Sequence, residues 1–554
     1  MSNILSDATI ERLIPGRLPS VEEIEARYPA RKLKEGQIVT RQAPSPTGMM
    51  HIGTLMMVLV SEKIAHQTGG VMMLRIEDTD TKREVEGATQ VILDGIRHFG
   101  LQVDEGPISE TEEKGAYGPY TQSRRIEIYQ AYAKKWLKEG KAYPCFATDE
   151  QIEDIRKAQV HDNIRPGYYG KWAIGRTLTE EEISKNLDEK KPFVIRYLNP
   201  ADPEKRIRVQ DLLKGEREFP QYDLDIPLLK SSDGLPTYHF AHVIDDHLMG
   251  TTHVLRTDEW FSSLPLHIQL FREMGWKAPK YAHMSPVQKL DNGDRRKLSK
   301  RKDPEASVMM YIQKGYPEEA VIEYLLNIAN SNFEDWRKAN PAKSWREFEV
   351  SFKKMGDTGA LLDMVKLDNI SKNVVARFSS EEIFKRAYAW AQKYDAKLKG
   401  LMDSHPDYVR QILNIERTAP KVRKDITTWS NLFGELSYFF DEHFELTKEE
   451  ALKLLPGFAP ADLAGIAKEF CDGYSATDSK DEWFAKVKAI AQKRGYAVNA
   501  KEFQANPAAF KGNVSDVAKI FRILLTGKAQ TPDLHSVMLV MGKDRCMRRL
   551  EILG

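Results

Sequence analysis

Two rhythms of apolar and polar positions divide the chain. From Gly36 onward, residues 37–41 read as a strand and 43–48 as a loop rich in proline and glycine. Residues 52–67 follow as an apolar helix closed by Gly69 and Gly70, and 71–76 as a compact buried strand. Strand, loop, helix and strand in about forty residues make a βαβ unit, whose parallel sheet takes ligands beyond the carboxyl ends of its strands. Residues 101–223 are mixed, with a helical stretch at 123–139, turns around Pro166 and Gly170 and a strand at 193–197, and read as an insertion. Short apolar runs at 226–229, 238–244 and 253–255 then suit buried strands, ahead of a helix at 262–274. The sequence therefore predicts a nucleotide-type fold split in two.

Past Ala306 the period is helical, with examples at 318–330, 380–394, 448–455 and 514–525, and Gly434, Gly473 and Gly527 read as helix stops or turns. The residues before Gly36 form a polar lead-in punctuated by Pro15, Pro19 and Pro29, with a short acidic helix at 21–27. The expected divisions are a lead-in at 1–36, the two halves of the nucleotide fold at 37–105 and 224–285, an insertion at 106–223, a further domain at 286–370 and a helical region at 371–554.

Composition narrows the function classes. A chain of 554 residues is too long for one core. Lys plus Arg number 82 against 81 for Asp plus Glu, so a nucleic-acid surface has to be a local patch. Only three cysteines occur, without C-x-x-C spacing, which supports neither a disulfide framework nor a cysteine-built zinc site. No apolar run approaches the ~20 residues of a membrane span, and the first forty residues lack a secretion signal. The expected compartment is the reducing cytoplasm, with no membrane partner.

Two segments carry phosphate chemistry. The loop Ala43-Pro44-Ser45-Pro46-Thr47-Gly48 leads through His51, Gly53 and Thr54 into the first long helix, whose start offers unpaired N–H groups and a partial positive charge. His51 alone could equally be a helix cap. The run Arg295 to Lys302 follows the turn Asp291-Asn292-Gly293-Asp294, and in isolation it could be a solvated basic face. Together they are distinctive. Residues 41–54 (RQAPSPTGMMHIGT) closely resemble the His-Ile-Gly-His signature of class I aminoacyl-tRNA synthetases in the glutamyl form, where Thr54 takes the last position. Residues 297–301 (KLSKR) resemble the Lys-Met-Ser-Lys-Ser signature, with Arg301 in place of its final serine.

The resemblance, to the bacterial-type glutamyl-tRNA synthetases, implies a split Rossmann-type α/β catalytic domain with an inserted acceptor-end-binding domain, a stem-contact domain and an all-helical anticodon-binding region. It implies catalytic roles for His51, Lys297 and Lys300, because ammonium groups stabilise the charge of departing pyrophosphate. ATP with Mg²⁺ would lie against Ser45, Pro46, Thr47, Gly48, His51, Gly53, Thr54, Glu259, Lys297, Ser299 and Lys300. L-Glutamate would lie against Arg41, Ala43, Ser45, Glu77, Tyr238, His242 and Arg256. Glu77 would hold the ammonium and the two arginines the carboxylates, in an order the sequence leaves open.

His239 and His242 invite a metal, but they alternate with core-like residues and no thiol is near, so no metal site is expected. Some relatives place zinc ligands around a Tyr-Pro-Cys element, whereas here Cys145 stands alone and no zinc is expected. The expected reaction is attachment of glutamate to tRNA(Glu) through a glutamyl-adenylate, by a monomer. Three alternatives stay open: a glutaminyl enzyme, hinted at by His242; a glutamyl enzyme that also charges tRNA(Gln); and a non-catalytic RNA-binding homologue. Lys421, Arg423 and Lys424 are expected to contact phosphate or to be ordinary surface charge.

Overall fold

The structure, a computed structural model, describes residues 4–230, 232–299, 301–356, 359–418 and 422–553. It divides into two compact units, one formed by residues 1–310 and 322–362 and the other by 311–321 and 363–554.

The first unit is organised by a six-stranded sheet. Val39–Gln42 lies between Val71–Leu74 and His253–Thr257, and Lys280–Met284 follows, all parallel. Arg206–Asp211 joins next to Lys280–Met284 in parallel, and Gly215–Pro220 closes the edge as the antiparallel arm of its hairpin. The return from helix to strand is tight: a Cβ at Gly70 would sit 1.9 Å from the carbonyl oxygen of Ile38. The helix Ile52–His66 buries nearly all of its circumference, so its sequence reads as a continuous apolar run.

A second, antiparallel sheet of Ala142–Cys145, Val194–Tyr197 and Pro227–Lys230 belongs to the inserted segment. The boundary expected at 223/224 cuts across this pairing, because residues 206–220 return to the parallel sheet while 227–230 extend the antiparallel one. Residues 238–244, expected as a strand, begin the helix Tyr238–Leu248. The run from Phe240 to Asp246 is buried on every side, and a helix enclosed by protein loses the 3.6-residue alternation that identifies it.

The lead-in is folded. Helices Asp7–Leu13 and Val21–Arg27 put Leu5, Ile10, Leu13, Ile14, Ile24 and Tyr28 into one core with Tyr132, Trp136, Phe240 and Phe271. Polar ties fix it from both sides. Thr9 donates to Glu180 at 2.5 Å, and Tyr28 donates to the Gly118 carbonyl at 2.9 Å. Arg31 reaches both the Met249 carbonyl and Glu105, each at 2.7 Å.

In the second unit the described residues form helices around an apolar core, in which the Phe470 and Phe521 rings pack with centroids 4.3 Å apart, tilted by 33°. Local signals set the helix ends. Thr447 and Glu450 form a capping box on Lys448–Leu454, as Ser479 and Glu482 do on Lys480–Lys493. Gly527, with φ +67°, ends Val514–Thr526, whereas Gly434 lies inside Trp429–Leu436 and stops nothing. No described helix is long and apolar enough to cross a membrane.

Candidate active site

At the carboxyl ends of the parallel strands opens a cavity of about 460 Å³. Its lining brings together Arg41, Ala43, Ser45, His51, Gly53, Thr54, Glu77, Tyr238, Arg256, Glu259 and Lys297, residues up to 256 positions apart in the chain. The helix Ile52–His66 starts there, and His51 Nδ1 accepts the Gly53 N–H at 2.9 Å, so the histidine caps the helix and also lines the cavity. Pro46, Thr47 and Gly48 are absent from the lining. They shape the loop: the Pro46 carbonyl accepts from Val85 N at 2.9 Å, Thr47 N donates to Ser45 O at 2.9 Å, and Gly48 takes φ +106°.

Behind the cavity lies a buried ionic network. Asp246 accepts from Arg41 Nε at 3.2 Å and from Arg75 Nη1 at 2.8 Å. Arg75 also reaches Glu77 at 3.1 Å, and Arg125 reaches Asp245 at 2.8 Å. Three guanidinium groups thus face three carboxylates. The neighbouring arginines hold the Asp246 carboxyl below its ordinary range despite burial that pushes the other way. Burial wins at Glu77, whose pKa is raised against the pull of Arg75 and Arg41. His242 sits one layer back from the cavity, within 2.9 Å of Arg41 and 3.0 Å of the Tyr281 hydroxyl. Desolvation and the nearby guanidinium charges of Arg41 and Arg256 push its pKa well down, so it braces Arg41 as a neutral ring.

Arg256 is held differently. It donates to His283 Nε2 at 2.8 Å, Tyr238 Oη at 3.1 Å, His267 Nδ1 at 3.1 Å and the Trp260 carbonyl at 3.4 Å. Among the described residues no carboxylate pairs with it directly. Trp260 lines the same cavity, its ring centroid 4.2 Å from that of Tyr238.

At the mouth, Lys297 pairs with Glu259 at 2.7 Å, both half-exposed. Lys297 ends a hairpin, Gln288–Asp291 with Asp294–Lys297, turned by Asn292 and Gly293 at φ +52° and +93°. Past it, Asp303 gathers the basic run, accepting from Arg296 at 2.6 Å and from Ser299 N at 2.8 Å. Ser299 therefore organises its own turn and is absent from the cavity lining. Lys300 lies outside the described residues.

Sequence reasoning missed Gln42, Asp246, His283, Asp211 and Asp303. The paired aspartates after Ile244 were visible but had no assigned partner, and Asp211 was hidden inside the apparent insertion.

Elsewhere, the Cys145 thiol is buried 3.1 Å from the Tyr168 hydroxyl. In the second unit a cleft of about 790 Å³ is lined by Lys372, Lys424, Lys480, Arg522, Trp483 and Phe484 among others. Arg423, expected as a phosphate contact or surface charge, lines this cleft but is largely buried, chelating Asp425 and donating to the Ile412 carbonyl at 3.0 Å. Lys424 donates to Asn373 at 2.7 Å, and Lys421 lies outside the described residues.

Residues 37–350 match the family model for the catalytic domain of class I tRNA synthetases for E and Q, and residues 382–553 match an anticodon-binding domain. Glutamate-tRNA ligase from Clostridium perfringens is 45% identical over 524 residues, spanning 95% of this chain and 96% of that protein. The enzyme of the same name from Sorangium cellulosum is 44% identical over 555 residues, spanning 96% and 97%. The crystal structure of a glutamate tRNA ligase from Elizabethkingia meningosepticum in complex with its amino acid superposes with a TM-score of 0.71 at 27% identity, covering 93% of this chain and 99% of that one.

Proposed function

The chain belongs to the class I tRNA synthetases for glutamate and glutamine, and we propose that it joins L-glutamate to tRNA(Glu) in translation, at the expense of ATP, through a glutamyl-adenylate. The observation that carries glutamate over glutamine is Arg256, which faces the cavity with only neutral groups in direct contact, while Arg41, Arg75 and Arg125 meet Glu77, Asp245 and Asp246 directly. The side-chain carboxylate of glutamate can pair with that guanidinium in a charge-assisted hydrogen bond, whereas the amide of glutamine offers only a neutral oxygen and donors that the arginine cannot accept.

Glu77 takes the substrate ammonium in this reading, and Tyr238 and the two arginines take its carboxylates. The α-carboxylate oxygen attacks the α-phosphorus of ATP in line as the bond to the bridging oxygen of pyrophosphate breaks. Ser45, His51, Gly53 and Thr54 surround the helix start, where phosphate oxygens meet side-chain hydroxyls and the partial positive charge of the helix. Lys297 exchanges Glu259 for the departing pyrophosphate, and Lys300 is assigned to the same charge from the signature it completes. Mg²⁺ enters as part of the nucleotide substrate. Among the described residues no three His, Cys, Asp or Glu side chains gather to hold a metal of the protein's own. A terminal ribose hydroxyl of tRNA then attacks the acyl carbon of the adenylate, losing its proton as the acyl–phosphate bond breaks and AMP leaves. No enzyme nucleophile is required, and catalysis rests on positioning and charge.

We assign the cleft of the second unit to the anticodon arm. Lys372, Lys424 and Arg522 offer charge to phosphate, Lys480 adds to them on exchanging Asp533, 2.7 Å away, for phosphate, and Phe484, 37% exposed, offers a face to a base. Free thiols and the absence of a membrane-spanning helix among the described residues agree with a cytoplasmic enzyme.

Charging separated tRNA(Glu) and tRNA(Gln) with labelled glutamate and glutamine tests the assignment. Glutamate on tRNA(Glu) is expected, and glutamate on tRNA(Gln) as well would mark relaxed tRNA choice. A preference for glutamine would overturn the reading. In the same assay Lys297→Ala should lower charging by about 100-fold, the scale of one lost group opposite developing charge, with tRNA affinity unchanged.

A further inference from the structure

Three neighbouring strands bring a relay to the back of Arg256. Arg256 and His283 are direct partners in the parallel ladder between His253–Thr257 and Lys280–Met284. One strand further, Asp211 pairs with Tyr281, and its carboxylate reaches His283. All three residues are buried, Asp211 and His283 completely. The hydrogen bonds fix every proton. Arg256 can only donate, so the 2.8 Å contact from its Nε requires a lone pair on His283 Nε2. The His283 proton is then on Nδ1, which donates to Asp211 Oδ2 at 2.6 Å. The other oxygen of Asp211 is spoken for, accepting the N–H groups of Leu213 at 2.9 Å and Lys214 at 2.8 Å. On the opposite edge of the guanidinium, His267 Nδ1 accepts at 3.1 Å and its Nε2–H donates to His239 Nδ1 at 2.9 Å.

We propose that Asp211 and His283 are positioning residues for glutamate selection: the carboxylate locks the imidazole in the tautomer that accepts from Arg256, and so aims the guanidinium at the substrate carboxylate. This deepens the assignment of the cavity to glutamate and rests on it. The arrangement resolves a conflict between aiming and charge. A carboxylate touching Arg256 directly would hold it as firmly but would compete with the substrate. Interposing a neutral ring keeps the counter-charge one residue away, so the guanidinium stays fixed in direction and open to a ligand anion. Burial and Arg256 itself together oppose protonation of His283, although the hydrogen bond to Asp211 favours it, and the ring's pKa lies below the ordinary value. A doubly protonated ring would turn an N–H toward the arginine and break the relay. The strand that supplies Asp211 comes from the segment inserted into the nucleotide fold, so the insertion contributes to the amino-acid pocket as well as to its own sheet.

Asp211→Asn reverses the relay, and it also takes from the His283 backbone N–H the acceptor that Oδ2 provides at 3.2 Å. The asparagine oxygen can keep the turn at Leu213 and Lys214, while its NH₂ group, a donor, faces His283 Nδ1 and drives the ring proton to Nε2, against Arg256. In steady-state charging of tRNA(Glu) by the full chain, the variant should raise the KM for glutamate about 10- to 100-fold, the scale of a charge-assisted hydrogen bond lost. The KM for ATP should stay within about twofold, since the relay touches no residue of the phosphate end.

A pair of variants at the ring provides a second measurement should Asp211→Asn fail to fold. His283→Gln offers an amide oxygen to Arg256 and an amide N–H to Asp211 and should recover most of the glutamate affinity, whereas His283→Leu offers neither. A glutamate KM unchanged in Asp211→Asn, a parallel rise in both KM values, or equal glutamate KM in the two His283 variants would overturn the relay. Failure of the wild-type chain to use glutamate would instead overturn the assignment of the pocket.

Discussion

The two units of this protein keep different things out of water. Behind the cavity of the first, the buried volume is guanidinium, carboxylate and imidazole: Arg41, Arg75, Arg125, Asp245, Asp246, His242, His267 and His283 are each at most 3% exposed. The core of the second is mainly Leu, Ile, Val, Phe, Trp and Tyr, with caps such as Thr447 and Ser479 at helix ends and isolated buried cations such as Arg423 and Arg549 held by carbonyls and single carboxylates. An apolar core is stabilised by the area it removes from water and tolerates imperfect fit. A buried ionic network holds only while every charge keeps its partner. The first kind of interior builds a shape, and the second aims functional groups at a cost in robustness.

Breaking one member of each interior separates them most strongly. Asp246→Ala leaves both Arg41 and Arg75 short of their shared carboxylate, and should destabilise the first unit by about 3–5 kcal/mol and abolish charging. Leu524→Ala in the second unit removes a fully buried side chain and should cost about 2–5 kcal/mol. It should leave the glutamate and ATP affinities as they were. Calorimetry resolves the two cases if the units melt separately, with the lower transition moving in one variant and the upper unchanged. Equal loss of glutamate affinity in both would erase the distinction.

Acid sharpens the comparison more gently. In the first unit burial holds His239 and His253 near pKa values of about 4, and depresses His242, His267 and His283 as well. The unfolded chain takes up those protons at about 6.5 while the folded one refuses them, so stability is full above that pH and falls as pH drops toward 4. For His239 alone the loss at pH 5 is on the order of 2 kcal/mol. His66 acts in the opposite sense, since Asp104 raises its pKa. The first unit's melting midpoint should therefore fall between pH 7.5 and 5 by more than the second's. Midpoints falling together would show that the histidines are not buried neutral.

The same contrast governs what could be read from the sequence. The loop at 43–48 and the helix after it were legible because they are contiguous: prolines, glycines and a histidine within twelve residues, followed by an apolar run. Arg41, Glu77 and Arg256 were named through the resemblance alone, and the structure brings the three to one cavity lining. Asp211 and His283 were not, because 72 residues separate them and only the sheet register makes them neighbours. Nor was the helix Tyr238–Leu248, since enclosure on all sides erases helical periodicity. In the second unit amphipathic helices kept their period, and 380–394 was legible to the residue, although Gly434 misled as a stop. Buried polar networks are the least legible parts of such a chain, being fixed by long-range register instead of local pattern.

One consequence concerns where this enzyme can be cut. The matched catalytic domain starts at residue 37, which makes that position a tempting start for a minimal version. Yet Ile10, Leu13 and Ile24 lie in the same core as Trp136, Tyr132 and Phe240, and Arg31 ties down Glu105 and the end of the helix that carries Tyr238 and Asp246. A version begun at 37 would carry an open apolar groove on its surface, prone to self-association, and its pocket helix would lose an anchor. The recognisable unit of descent and the unit of cooperative folding do not share a boundary here.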